Sequence, residues 1–338
     1  MLRKDSAVVI NTCQIATQPV NLGFNIVCHE RNDHKDDIKS NSEELLEGTD
    51  GDINNNINND PIKNRDQVRF VVMSDSHQFY KNHLQHLSDV LLKQNSKFGE
   101  LLRNENTCRT EIENTNHQLP QSEHSSKENN KQYNVLLHCG DFGFYGKKNS
   151  LLNFNKEFLG NIKDMFDAIV VILGNHDHPL MEALDFDVES FKQMYLSNAT
   201  HLLFDSSVSL FDQRVKIHGL SWQSKEEHTF CFNQYPSSQH EEMIQRLKMK
   251  KLLKIAHDTN ILLSHEPPKG YLDDGNGSKA LSQYILLEAS LALKVVAFGH
   301  VHSKYGYESL QANKGRTIHI INAAVNMTNA PVYFDYFL

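Results

Sequence analysis

Five short segments of this sequence carry residue types that bind metal ions or move protons: Asp75 with His77, Asp141, Asn175 with His176, His265, and His300 with His302. Each follows directly on an apolar run, at 68–73, 134–139, 169–173, 260–264 and 294–298. A short apolar run halted by glycine or a polar residue is the pattern of a strand buried on both faces. In an α/β sheet the carboxyl ends of such strands meet at one edge, where reactive groups gather. The sharpest switch is at 169–179. Ile169, Val170, Val171, Ile172 and Leu173 give way behind Gly174 to Asn175, His176, Asp177 and His178.

Taken singly, each segment is weak. A lone histidine after a strand is more often a capping or hydrogen-bonded residue than a ligand, and His138, His201, His218 and His319 are placed in that group. Together the segments add up to a site. Asp75, His77, Asp141, Asn175, His265, His300 and His302 offer seven donor side chains. One ion takes roughly four to six ligands, so seven point to two divalent ions sharing a bridging carboxylate and a bridging water. Imidazole, carboxylate and amide without thiolate suit Mn, Fe, Zn, Co or Ni. Two such ions ~3.5–4 Å apart lower the pKa of a bridging water toward ~7 and hold phosphate oxygens for in-line attack. His176, next to Asn175, then faces the leaving group as an imidazolium and stabilises or protonates the departing alkoxide. Asp177 is placed to orient His176; His178 receives no role.

The elements that must position these groups alternate in type. After the strand at 68–73, Leu84, Leu87, Val90 and Leu91 repeat at helical spacing. A helical pattern recurs at 149–163, so the first half reads as βαβ units with parallel strands; a helix at 186–197 follows Pro179, where the pattern changes. Past Pro179 come short strand-like pieces at 201–204, 208–211 and 215–218, a meander that predicts a second, mixed or antiparallel sheet. An amphipathic basic helix spans 240–257, its lysines read as a solvated face. Another helix spans 279–293, and strands at 317–323 and 331–337 close the chain.

Composition bounds the rest. The 338 residues carry a formal net charge of -8 at a mean hydropathy of -0.52. This balance argues against broad binding to nucleic acid or to an anionic membrane, and leaves room for a small anionic substrate held by metal. Residues 1–66 read as a low-complexity, largely disordered tail, ending in the Asn-rich run at 51–60, although 8–10 and 24–27 have strand character. A polar stretch at 104–133 reads as an insertion looping out of a domain that spans 67–338. The five cysteines are scattered and lack CxxC spacing, which suggests a reducing, cytoplasmic location. No apolar run approaches a membrane span.

The ordered set Asp-x-His (75–77), Gly-Asp (140–141), Gly-Asn-His-Asp (174–177), His265 and Gly-His-x-His (299–302) resembles the calcineurin-like metallophosphoesterases. That resemblance implies a four-layer α/β sandwich of two mixed β-sheets flanked by helices. It also implies a ligand division: Asp75, His77 and His302 on one ion, Asn175, His265 and His300 on the other, Asp141 bridging. His176 then acts at the leaving group. The segments at 136–142, 219–223, 298–306 and 321–326 resemble the small metallophosphoesterase domain-containing proteins, which are similar to class III cyclic nucleotide phosphodiesterases. The activity implied is hydrolysis of phosphodiesters, cyclic nucleotides among them, by attack of a metal-bridging hydroxide. The alternatives are a phosphomonoesterase or nucleotidase with the same site, or a binding scaffold that has lost catalysis. The Ser/Thr protein phosphatase branch expects Gly-Asp-x-x-Asp-Arg-Gly, and the stretch 140–146 lacks that arginine, which removes a phosphate clamp. Trp222, Phe230, Phe232, Asn322 and Asn326 are candidates for holding the base or ester group, each as readily explained by packing or a turn.

Overall fold

Alternate residues of the central strands face two different cores, which is why their sequences are apolar throughout. From β4 (Ala168–Val171) and the two residues after it, Ile169, Val171 and Leu173 face a helix-covered layer. Ala168, Val170 and Ile172 face a layer shared with a second sheet. The computed structural model describes residues 20–27, 65–77, 79–87, 131–183, 185, 187–220, 241–326 and 330–338.

The first sheet has the order β1-β12-β2-β3-β4-β5. Its strands are β1 (Val20–Val27), β2 (Gln67–Met73), β3 (Gln132–His138), β4, β5 (His201–Leu202) and β12 (Val332–Phe337). Only the β12–β2 pairing is antiparallel. The second sheet has the order β10-β11-β9-β8-β7-β6. Its strands are β6 (Ser206–Leu210), β7 (Val215–Gly219), β8 (Ile261–Leu263), β9 (Val295–Phe298), β10 (Gly306–Ala312) and β11 (Arg316–Asn322). Its centre is parallel and both its outer pairs are antiparallel.

Helices close both outer faces. On the first sheet they are residues 81–87 (α1), α2 (Lys148–Asn153), α3 (Gly160–Ile162), α4 (His178–Ala183) and α5 (Val188–Tyr195). A π-helical run, Phe154–Leu159, joins α2 to α3. Asp187 caps α5 by accepting from the Ser190 amide at 3.0 Å, the bond an N-terminal aspartate supplies. On the second sheet, α6 (Glu241–Leu252) and α7 (Lys279–Gln283) cover Leu262, Val296, Phe298, Ile318 and Ile320. The result is helix, sheet, sheet, helix, the four-layer sandwich expected. No helix among the described residues is long and apolar enough to cross a membrane.

The structure differs from the sequence reading at several places. β1 lies within the segment assigned to the tail and pairs with β12; apart from Arg65 and Asp66, the rest of that segment lies outside the described residues. So does most of the polar insertion, whose last two residues, Gln132 and Tyr133, begin β3. The expected meander is split: β5 pairs with β4 in the first sheet, and the chain crosses to the second before β6. β10 carries polar residues at an edge and has no apolar run to announce it. Lys248 of α6 corrects the solvated reading of that helix. It is fully buried and its Nζ donates to both carboxylate oxygens of Glu266, at 2.8 and 2.7 Å.

Candidate metal centre

The ends of β2, β3, β4, β8 and β9 converge, and close backbone approach is what brings them together. A Cβ on Gly174 would strike the Asp141 carboxylate and the Asp141 amide; one on Gly299 would strike Ser74 and the Asp75 carboxylate. Both glycines are therefore sites where only a bare backbone fits. The loops are cross-braced by hydrogen bonds: Asp75 N–H to the Gly140 carbonyl at 2.9 Å, His77 N–H to the Asp141 carbonyl at 2.9 Å, and Ser74 Oγ to the Gly140 carbonyl at 3.1 Å. Asp75, His77, Asp141 and His300 all adopt positive φ, at 56°, 43°, 56° and 67°. Such backbone is costly for residues with side chains and persists where the surroundings enforce it, as at functional sites.

Six of the seven predicted donors are tied into one network by side-chain contacts, and His300 joins it through its ring and backbone. His302 Nε2 lies 3.1 Å from Asp75 Oδ1. His265 Nε2 lies 3.0 Å from Asn175 Oδ1 and 3.3 Å from Asp141 Oδ2. The His77 ring is 5.6 Å from that of His302 and 4.9 Å from that of His176. Ligand-type atoms fall within 4.8 Å of one another in three overlapping groups: Asp75, His77 and His302; His77, Asp141 and His176; Asp75, Asp141 and His265. His300 stands outside these groups, its ring 5.2 Å from that of His265 and its amide donating to Asp75 Oδ2 at 2.8 Å.

The electrostatics are those of a site that wants positive charge. Burial raises the Asp75 carboxyl, but the His302 hydrogen bond and the His265 charge outweigh it and hold it at about 2. Burial likewise opposes ionisation of Asp141, and His265, His176 and His77 override it, so Asp141 sits well below the usual carboxylate range. His265 shows the reciprocal effect. Burial lowers it, yet Asp141 and then Asp75 lift it to about 10. An imidazolium here balances two buried carboxylates. Burial, with the charge of His265, depresses His300 to about 4.

These observations fit a divalent-cation centre. His77 Nδ1 faces the Gly143 carbonyl at 3.2 Å and His265 Nδ1 the Cys139 carbonyl at 2.8 Å. A carbonyl can only accept, so both Nδ1 atoms carry the proton, and Nε2 is the atom left for a ligand. A cation in place of the His265 Nε2 proton would satisfy the same oxygens of Asp141 and Asn175.

His176 is held differently from the donors. Its Nδ1 accepts the Tyr145 amide at 3.4 Å, its backbone amide donates to Asp141 Oδ1 at 2.8 Å, and its Nε2 lies 3.8 Å from Asp141 Oδ2. The neutral ring therefore carries its proton on Nε2. Burial lowers its pKa against the pull of Asp141.

Asp177 does not orient His176 through its side chain. It accepts from the amides of Asp141 at 2.7 Å, Gly143 at 2.6 Å and Gly174 at 3.0 Å, and so clamps the β3 and β4 loops together. Burial and then the Asp141 charge raise its pKa to about 8. Nothing in the sequence around Asp177 announces this hub, because its partners are backbone amides. Asn322 is not a substrate contact: it is fully buried, donates to the Val301 and Leu272 carbonyls, and accepts from the Ala324 amide. Asn326 presents its carbonyl to His83 Nε2 at 2.8 Å. Trp222, Phe230 and Phe232 lie outside the described residues. Of the histidines assigned to bonding roles, His138 meets Ser76, His218 meets Ser207 and His319 meets Tyr307, at 3.1, 2.8 and 2.9 Å.

The sequence model of a family described as calcineurin-like phosphoesterase matches residues 68–304. The chain is 29% identical over 229 residues to UPF0046 protein T07D4.2 of Caenorhabditis elegans, covering 60% of this chain and 54% of that protein. It is 29% identical over 228 residues to metallophosphoesterase domain-containing protein 1 of Homo sapiens, covering 60% of this chain and 64% of that protein. The matched region thus spans less than two thirds of these relatives' length. The crystal structure of TT1561 of Thermus thermophilus overlaps 77% of this chain and 90% of that one, at 11% identity and a TM-score of 0.42.

Proposed function

This chain belongs to the calcineurin-like phosphoesterase family, and from that premise we propose that it hydrolyses small phosphodiesters, cyclic nucleotides among them, with two divalent ions. The observation that carries the reading is the donor network around Asp75 and Asp141 with His176 at its margin. A binding scaffold has no need of both a full ligand set and a hydrogen-bond donor placed beside it. Asp75, His77 and His302 would hold one ion, Asn175, His265 and His300 the other, and Asp141 both. Bound there, the ions supply Lewis acidity and a nucleophile usable at neutral pH.

The chain's own residues do the remaining work. The Tyr145 amide occupies His176 Nδ1, so what the neutral ring offers a leaving oxygen is a hydrogen bond from Nε2–H, which would stabilise the departing alkoxide in place of the imidazolium expected from the sequence. Asp177 fixes the loop that carries Asp141, and the Asp141 carboxylate in turn receives the His176 amide. The stretch 140–146 contains no arginine. A phosphodiester monoanion needs less countercharge than a monoester dianion, which favours the diester.

The test is a rate comparison on the full chain with Mn²⁺. Bis-p-nitrophenyl phosphate and 2′,3′- and 3′,5′-cyclic AMP are expected to turn over faster than p-nitrophenyl phosphate and AMP. Faster monoester turnover would make the chain a phosphomonoesterase. No turnover of any of them by folded, metal-loaded protein would remove the enzymatic reading.

A further inference from the structure

We propose that Tyr145 is the residue on which the aromatic group of the substrate stacks, so that the site selects phosphoesters bearing a nucleobase or comparable ring. The inference deepens the phosphodiesterase reading and rests on it. Large aromatic side chains are normally covered, yet Tyr145 is 53% exposed. Its ring centroid is 4.3 Å from that of His176 at an interplanar angle of 49°, and Phe144 packs edge-on against it at 4.6 Å.

The exposure is not that of a loose loop tip. Tyr145 holds a positive φ of 49°, and the loop around it is pinned at each step. The Gly143 amide is bound by Asp177 at 2.6 Å, the Phe144 amide by Ser150 Oγ at 3.0 Å, and the Gly146 amide by the His176 carbonyl at 2.7 Å. The Tyr145 amide itself reaches His176 Nδ1. The backbone is thus fastened to His176 while the ring is left facing water. With its ring centroid 4.3 Å from that of His176, Tyr145 adjoins the residue that would face the leaving group. Base-on-aromatic stacking tolerates any base, because every base has a π-face.

The test compares two substrates with the same reacting bond, adenosine 2′,3′-cyclic phosphate and methyl riboside 2′,3′-cyclic phosphate, which lacks the base. In Tyr145→Ala, KM for the adenosine compound should rise about 10-fold, the range set by stacking losses, with kcat little changed. KM for the methyl riboside should stay as in wild type, and Tyr145→Phe should behave as wild type on both. Calorimetric binding of AMP to the same three Mn²⁺-loaded proteins reads the ring without turnover. Weaker binding to Tyr145→Ala alone supports the stacking role even where neither diester is hydrolysed, the result that would count against the phosphodiesterase reading by itself. Equal AMP affinity in all three proteins, or a kcat loss shared by both diesters, overturns the stacking role.

Discussion

The two sheets contribute to the centre in different ways. The first supplies both carboxylates, the amide, His77 and His176; the second supplies only imidazoles. First-sheet loops are locked to one another through backbone, by Asp177 on three amides and by the Ser74, Asp75 and His77 bonds to the β3 loop. The second sheet reaches across mainly with single groups: His265 to Asp141 and the Cys139 carbonyl, His302 to Asp75, and the His300 amide to Asp75. The first sheet is therefore a preset anionic cradle. The second is a set of neutralising arms, two of them, His300 and His302, seated by the close approach of Gly299 to Ser74 and Asp75.

Substitutions can break that contrast, the largest effect first. Asp141→Asn removes the charge at the heart of the cradle. Activity should fall by about 100-fold or more, the scale of losing a central electrostatic group, and metal analysis should show fewer than two equivalents. Two full equivalents in the variant would contradict its sharing by both ions. Next, His265→Ala leaves Asp141 buried without its main countercharge. Denaturation of the metal-free protein should show a loss of about 3 kcal/mol, which added Mn²⁺ should partly restore. An unchanged unfolding midpoint would mean that His265 does not balance the cradle.

Gly174→Ala and Gly299→Ala separate the two kinds of attachment at a smaller cost, about 1–3 kcal/mol each for an overpacked contact. The first pushes Asn175 and Asp141 apart within the first sheet; the second lifts His300 and His302 together off Asp75. Both should reduce bound metal, measured on purified protein beside its Tm. Wild-type Tm and metal content in either would show that the approach is not needed.

The smallest effect concerns second-sheet histidines away from the carboxylates. Burial depresses His218 and His319 to about 4 each, below the ordinary 6.5. Neutral in the folded chain, they protonate more readily when it unfolds. Their contribution is present above pH 6.5 and is lost as pH falls from 6.5 toward 4. Thermal melts should decline over that window, and His218→Asn should soften the decline. A melt curve flat from pH 7 to 4 would count against it.

What can be read from the sequence follows the same division. The strand ends are legible because strands buried on both faces are apolar at every position, so a sudden Asp, His or Asn stands out. The donors are legible as types, although their convergence needs the fold. The role of Asp177 is hidden because its three bonds go to backbone amides, which leave no trace in sequence. That of Lys248 is hidden because a buried lysine and a solvated one look alike until Glu266 is found beside it. β10 and β1 are edge strands defined by pairing with neighbours and not by apolar content. Tyr145 draws no attention because an exposed aromatic differs from a packed one only in three dimensions.

That this chain is a metal-dependent phosphodiesterase whose leaving group is stabilised by His176 Nε2–H is tested most directly by His176→Ala, with bound Mn²⁺ and turnover of bis-p-nitrophenyl phosphate measured on the same sample. The predicted result is full metal content with turnover reduced about 100-fold, the scale of losing one preorganised donor to a developing oxyanion. Undiminished turnover in the metal-loaded variant would contradict it.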